Sequence, residues 1–198
     1  HLFLFIILTL NNITPMKKIY SILLFAFIAT AFISCNNDDD NNSSNLNNEL
    51  LVNGKTYPLK AGALEYYGNE SGNHSSGLIL VTTEVNENEE AEDEFFNSIF
   101  FEIFTSERTI GTREYKFFEG ELANTFSDFS EIKIMTETED MIDIDNYELT
   151  AGVLNIISLN PYEVTFKGKA RNWDDETDIV DFEGHYKGNL YEYDYSEE

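Results

Sequence analysis

The sequence predicts an all-β protein, a single antiparallel β-sandwich or small β-barrel of roughly eight to ten strands, and three observations carry that expectation. The apolar residues after position 48 are Val, Ile, Phe, Tyr and Leu in short runs broken by Gly, Asn, Asp and Ser, which is the composition of strands and turns. Asn53-Gly54 stands between two such runs and is the strongest short-range hairpin signal. From Tyr162 to Arg171 the residues alternate inward and outward types, the period-two signature of a strand buried on one face.

Taken in order, Leu50 to Val52 and Lys55 to Leu59 are the arms of the first hairpin. Ala63 to Tyr67 and Leu78 to Val85 are the next two strands, with Gly68 to Gly77 read as the loop between them. Glu87 to Phe96 is the best helix candidate. Its apolar residues gather at one end instead of forming a stripe, and Glu89, Glu90 and Glu92 lie inside it, so it reads as an acidic loop. Phe95 to Thr105 is a long apolar strand with Ile99, Phe101 and Ile103 on one face, and Tyr115 to Phe118 and Phe129 to Thr136 follow.

The C-terminal hairpin is the most explicit. Tyr162, Val164, Phe166, Gly168 and Ala170 face inward, and so do Phe182, Gly184, Tyr186, Gly188 and Leu190 on the strand Ile179 to Leu190. Asp181, Glu183, His185 and Lys187 are expected to face solvent. A turn at Asp174 to Asp178 makes the pair antiparallel. Apolar must meet apolar, so paired residue numbers sum to 350 or 352, and Lys169 stands opposite Asp181 or Glu183. Gly168 and Gly184 on the core face imply strong bending or a large aromatic lying over them.

The N-terminal part is set apart by composition, with no acidic residue before Asp38. Met16-Lys17-Lys18 followed by the 15-residue apolar stretch Ile19 to Ile33 is shorter than the ~20 residues a spanning helix needs, and it reads as a signal peptide over residues 16–34. Residues 1–15 are expected to be an upstream extension. The alternative, a first membrane hairpin, suffers from a nine-residue apolar run ended by Asn11, Asn12 and Pro15.

Ala31-Phe32-Ile33-Ser34-Cys35 resembles the lipobox of bacterial lipoproteins, with Phe32 where that family usually has leucine. The resemblance implies cleavage before Cys35 and lipidation of its thiol. Asn36-Asn37-Asp38-Asp39-Asp40 resembles the acidic export signal of Bacteroidetes surface lipoproteins. That likeness implies that Asp38, Asp39 and Asp40 direct the protein to the outer face of the outer membrane, the periplasmic face being the alternative. One acyl chain holds a protein only marginally, at about 0.8 kcal/mol per buried CH₂, and the lipoproteins resembled carry two or three.

Cys35 is the sole cysteine, so its lipidation would leave no thiol for disulfides, zinc sites or nucleophilic catalysis. Removing Lys17 and Lys18 takes the basic residues from 12 to 10, and 10 against 37 acidic residues gives a net charge of −27. Nucleic acid and anionic headgroups are bound through Lys and Arg, so neither is an expected partner, and membrane contact falls to the lipid. Residues 35–48 are almost entirely Asn, Asp and Ser and form a tether too polar to fold. Residues 49–198 form one β-domain. Gly152-Val153, Tyr162-Glu163-Val164 and Gly184 to Leu190 make its C-terminal part similar to small Bacteroidetes lipoproteins of unknown function, which implies a shared β-fold and no activity.

Catalytic signals are sparse. His74 and His185 are far apart, His74 falls in the polar Gly68 to Gly77 loop, and no Gly-x-Ser-x-Gly elbow is present. With 37 acids, paired carboxylates carry no specificity for glycoside hydrolysis. The acidic runs Asp174 to Asp178 and Glu139 to Asn146 are the only candidates for Ca²⁺, and neither has EF-hand spacing, so no cofactor is expected. Tyr191, Tyr193 and Tyr195 share one face, and with Trp173 they are the candidate ligand contacts. A single bulge after Leu190 would turn the three tyrosines into the core instead. The expected function is a non-enzymatic binding or accessory module for glycan or protein. The alternative is a carrier of small apolar ligands, with some of the 16 Phe and 11 Tyr lining a lipocalin-like barrel.

Overall fold

The computed structural model describes residues 47–70, 72–86, 90–138 and 141–196. The expected signal peptide, Cys35, Asp38 to Asp40, the expected tether up to Leu46, and Glu139 and Asp140 of one acidic run lie outside the described residues.

The described chain is all strand and turn. The strands are β1 (Glu49–Val52), β2 (Lys55–Pro58), β3 (Ala61–Glu70), β4 (Asn73–Val81), β5 (Ser98–Thr105), β6 (Glu114–Phe117), β7 (Thr125–Phe126), β8 (Glu131–Glu137), β9 (Ile142–Leu159), β10 (Tyr162–Asn172), β11 (Ile179–Gly188) and β12 (Tyr191–Asp194). They form one sheet in the order β12-β3-β4-β5-β7-β6-β9-β10-β11-β1-β2, with β8 joining β5 to β9. Strands β5, β8, β9, β6 and β7 thus close a five-membered circuit, a small barrel to which the others add. Two further joins curl the sheet on itself. Leu59-Lys60 links β2 at one end of the order to β3 near the other, and Asn189-Leu190 links β11 to β12.

Local chemistry explains the elements. Asn53 and Gly54 take φ values of 48° and 78°, the left-handed pair that a two-residue hairpin needs, and β1 pairs with β2 across them. β10 and β11 pair in the register whose numbers sum to 350, and Lys169 Nζ lies 2.7 Å from Asp181 Oδ1. A Cβ on Gly184 would strike the Phe166 ring, and one on Gly168 would come within 2.8 Å of Phe182 Cζ. The expectation that aromatics lie over these glycines holds.

The core contains Ile99, Phe101 and Ile103 of β5 with Val164, Phe166, Val180 and Phe182 of the C-terminal hairpin. Phe101 meets Phe126 edge-on at 5.4 Å and Phe166 at 5.4 Å, so the curled sheet closes over a continuous apolar interior. Each such ring pair adds about 0.5–1.5 kcal/mol beyond area burial.

The structure departs from the expectation in four places. Twelve strands replace eight to ten, because β7, the 18-residue β9 and β12 were not anticipated as strands. β9 carries an extra residue at Thr150 and another at Ile157, where its pairing with β10 slips. Each insertion reverses the parity of the inward residues, so Leu149 precedes Leu154 and Ile156 in the core and no single alternation runs along the strand. Most of Gly68 to Gly77 is not a loop: β3 and β4 run on through it to a tight turn. Finally, His185 is 5% exposed instead of solvent-facing. The chain entering the domain covers it, with Glu49 paired opposite and His185 Nδ1 3.3 Å from the Asn47 carbonyl. Asn48 fastens that entry by donating from Nδ2 to the Lys187 carbonyl at 2.9 Å while its Oδ1 accepts from the Lys187 N–H at 2.8 Å.

Candidate binding face

Strands β3, β4 and β5 present two unlike faces. The inner one supplies Leu78, Leu80, Ile99 and Phe101 to the core. The outer one holds a small apolar cluster of Ala61, Ile79 and Val81, against which Val85, Phe96 and Phe100 pack. Side chains alternate along a strand, so the outer face continues through Ala63 to Glu65, through Ile79 to Gly77 and through Phe100 to Glu102. The register then aligns Tyr193, Glu65, Gly77 and Glu102 in one transverse row over β12, β3, β4 and β5. Ser127, just past β7, extends it by donating its N–H to the Glu102 carbonyl at 2.9 Å.

A bulge places the next component. Pairing of β3 with β4 slips between Tyr66 and Gly68, leaving Tyr67 as the extra residue, and Gly68 takes a φ of 115°. Tyr67 folds over Gly77 on the Glu65 side and donates its hydroxyl to Glu65 Oε2 at 2.6 Å. A Cβ on Gly77 would collide with that hydroxyl and approach Phe100 Cε2 to 2.7 Å, so only glycine leaves room for the ring. Tyr195 lies 6.4 Å from Tyr67 with its plane 17° away, and Tyr193 lies 6.1 Å from Tyr195 at 16°. Three near-parallel rings therefore run from the sheet edge to the carboxylates.

Both row carboxylates are half-buried and are held by neutral donors. Glu102 Oε1 accepts from Ser75 Oγ at 3.2 Å and Oε2 from Ser127 Oγ at 2.8 Å, while the Glu102 N–H donates to Ser130 Oγ at 3.0 Å. Burial pushes Glu102 above the ordinary carboxyl range; the two serine hydroxyls pull it back, and the charges of Glu121 and Asp128 push it up further. Burial also raises Glu65, against the hydrogen bond from Tyr67. Burial first, then the adjacent Glu65 charge, drives the Tyr67 phenol far upward, so it remains a proton donor throughout the physiological range. Among the described residues, the ion pairs of Arg108 with Asp194, Lys116 with Glu114, Lys169 with Asp181, Arg171 with Glu148 and Lys187 with Glu163 involve neither Glu65 nor Glu102, although Arg108 stands 4.6 Å from the ring of Tyr66, the next residue after Glu65.

Of the residues singled out in the sequence, Tyr193 and Tyr195 join this face, on its surface and not in the core. Tyr191 lies beside them on β12 but lines a separate depression of about 230 Å³ with Lys60, Glu84 and Tyr186. Trp173 is 58% exposed at the β10–β11 turn. It sits at the opposite end of β11 from Tyr191, and ten strand residues span on the order of 30 Å. The structure does not bring Trp173 to the tyrosines. His74 is on β4, with Nδ1 2.6 Å from the Tyr66 hydroxyl and Nε2 3.2 Å from Asn69 Nδ2. In the acidic turn, Asp175 Oδ1 accepts from the Thr177 N–H at 2.9 Å and hydroxyl at 2.6 Å, which hold its carboxyl below the usual range. Among the described residues, no three His, Cys, Asp or Glu side chains converge as a metal site requires.

A broader depression of about 660 Å³ lies over β9, β10, β11 and β1, floored by Gly152 and Gly168. Its rim includes Lys169 and Asp181, which neutralise one another.

Glu65, Tyr67, Gly77 and Glu102 were not singled out from sequence. A signal did exist: Glu102 is the one charged residue inside the apolar run Ser98–Thr105. Reading Gly68 to Gly77 as a loop removed the strand that aligns it with Glu65.

Comparison with protein-family models, curated proteins and solved structures finds no match to this chain.

Proposed function

We propose that the protein is an outer-membrane lipoprotein, anchored through Cys35 and carried to the cell surface by Asp38 to Asp40, whose β-domain is a non-enzymatic module that binds glycan. The observation that carries the binding part is the run of Tyr193, Tyr195 and Tyr67 leading to Glu65 and Glu102. Aromatic rings pack on the apolar faces of sugars, and carboxylates and hydroxyls beside them accept and donate hydrogen bonds to sugar hydroxyls. Proteins as ligands are the second reading, and the apolar-ligand carrier is the third. Phe101, Phe126, Phe166 and Phe182 fill the space a carrier's ligand would occupy, so the outer face supports binding better than the interior does.

One experiment on expressing cells tests anchor and ligand together. Wild type, Cys35→Ala and Tyr195→Ala chains are fractionated, and the cells are overlaid with fluorescent neutral and amine-bearing oligosaccharides. Wild type should stay with the outer membrane and hold a label, Cys35→Ala should be released, and Tyr195→Ala should stay but lose the label, with Tyr195→Phe restoring it. A Cys35→Ala chain that remains in the membrane contradicts the anchor. Equal labelling of wild type and Tyr195→Ala, or of neither, contradicts the glycan face.

A further inference from the structure

We infer that His185 is a proton-operated latch on the chain's entry into the domain: the charged ring holds the Asn47 carbonyl and the Glu163 carboxylate together, and the neutral ring keeps Glu163 and lets Asn47 go. The inference is independent of the glycan reading.

An unmet hydrogen bond marks the residue. Among the described residues, His185 Nε2 is the buried side-chain nitrogen or oxygen that lacks a hydrogen-bond partner. His185 is 5% exposed, and its two ring nitrogens face two acceptors: Nδ1 lies 3.3 Å from the Asn47 carbonyl, and Nε2 lies 3.5 Å from Glu163 Oε1. A neutral imidazole carries one N–H and can serve only one of them; the imidazolium serves both. His74 shows the contrast. Its nitrogens meet the Tyr66 hydroxyl and the Asn69 Nδ2 amide, which between them can accept one proton and donate another, so a neutral ring is satisfied there.

The charges facing the ring come from three strands. Glu49 of β1 stands opposite His185 on one side and Thr165 of β10 on the other, and Glu163 and Lys167 flank Thr165 on the same face. Along β11 itself that face carries Glu183 and Lys187. Three carboxylates and two ammoniums thus surround the imidazole, the entering Asn47 and Asn48 are uncharged, and a positive ring has counter-charges at hand. Lys187 Nζ, 2.8 Å from Glu163 Oε2, is the first cause holding that carboxyl below the ordinary range, so Glu163 stays ionised while an imidazole titrates.

When the ring gives up a proton, the one that remains goes to the stronger acceptor. A hydrogen bond to a carboxylate is roughly twice as strong as one between neutral groups, so the proton stays on Nε2 against Glu163. Nδ1 then turns a lone pair on the Asn47 carbonyl, and the two acceptors repel. The next residue, Asn48, accepts the Lys187 N–H at Oδ1 and the Leu59 N–H at its carbonyl. Those two amides therefore report whether the entry is held.

The test follows backbone amide exchange in the full chain at pH 5 and pH 8, each rate corrected for its intrinsic pH dependence, with the His185 ring titrated by NMR over the same range. The ring should change charge within that range. Protection of the Lys187 and Leu59 amides should fall several-fold from pH 5 to pH 8, while that of Phe166, in the middle of β10, stays constant. His185→Gln should remove the pH dependence, and His74→Gln should leave it. Glu163→Gln gives the sharpest result: its amide can donate to a bare Nε2, which leaves the ring's proton on Nδ1 for Asn47, so the latch should stay closed at pH 8. A ring that keeps one charge throughout, or wild-type protection equal at both pH values, overturns the latch even where a variant fails to fold. So does a pH dependence that survives His185→Gln, or release at pH 8 in Glu163→Gln.

Discussion

Glu102 shows how a single residue can be set against stability for the sake of its surroundings. It sits in a strand whose inward neighbours Phe101 and Ile103 are completely buried, and its own carboxyl is half-buried among Ser75, Ser127 and Ser130 with Glu121 and Asp128 nearby. A carboxyl raised in the folded state contributes stability that is fully present below its unfolded value, about 4.3, and lost as pH rises through the folded value. At neutral pH the ionised group therefore opposes folding. Glu102→Gln should raise the melting temperature at pH 7, and the gain should shrink towards zero at pH 4, where wild-type Glu102 is protonated. Thermal scans at the two pH values check this. A gain of the same size at both would assign the effect to something other than charge. Glu65 does not announce itself in a chain with 37 acids, and Glu102 does so only as the one charge in the apolar run Ser98–Thr105, because what distinguishes both is burial, and burial depends on the strand alongside.

At the scale of elements, legibility followed periodicity. The β10–β11 hairpin alternates without interruption over its paired length, so its register could be narrowed to sums of 350 or 352, and an aromatic over Gly168 and Gly184 was one of two expectations; the structure selects 350 and the aromatics. β9 could not, because the insertions at Thr150 and Ile157 twice exchange its inward and outward residues. β4 failed for a different reason: Asn73 to Gly77 is polar and small, the usual composition of a loop. Ser75 and Ser76 are buried there all the same, Ser75 with its hydroxyl on Glu102. β12 lay between these cases, since its Tyr191 and Tyr193 and the following Tyr195 share a face by alternation but only the pairing with β3 decides which face.

The glycine contacts give the element scale its own prediction. A Cβ at Gly168 would run into the Ala151 carbonyl and the Phe182 ring, where Gly168 of β10 pairs with Gly152 of β9, whereas one at Gly54 meets nothing within 4 Å. Gly168→Ala should cost about 1–3 kcal/mol by overpacking, several degrees of melting temperature for a domain of this size. Gly54→Ala carries only the penalty of a positive φ, about 1 kcal/mol. Parallel denaturation of the two variants checks the order, and a smaller loss at Gly168 than at Gly54 would contradict the packing described.

At the largest scale the described residues form one sheet folded around a filled interior, with its two ends tied by the short links Leu59-Lys60 and Asn189-Leu190. Both links matter to the candidate face. The first leads into β3, and the second delivers β12 and its tyrosines to β3 in a parallel pairing, so the face exists only because the sheet closes. Sequence alone conveyed the all-β class and Tyr193 and Tyr195 of this arrangement but not Tyr67; the closure depends on long-range pairing that no local pattern encodes. The chain's entry at Asn47 and Asn48 is clamped to β11, and Asn48 lines the small depression that Tyr191 at the start of β12 also borders.

Amide chemical-shift mapping during titration with glucosamine and N-acetylglucosamine trisaccharides tests the binding face most directly. The account predicts shifts concentrated at residues 65–67, 75–77, 100–104, 127–130 and 191–196, with the Gly152 and Gly168 depression and Trp173 unmoved. Shifts centred on that depression, or on Phe101, Phe166 and Phe182 in the interior, would contradict it.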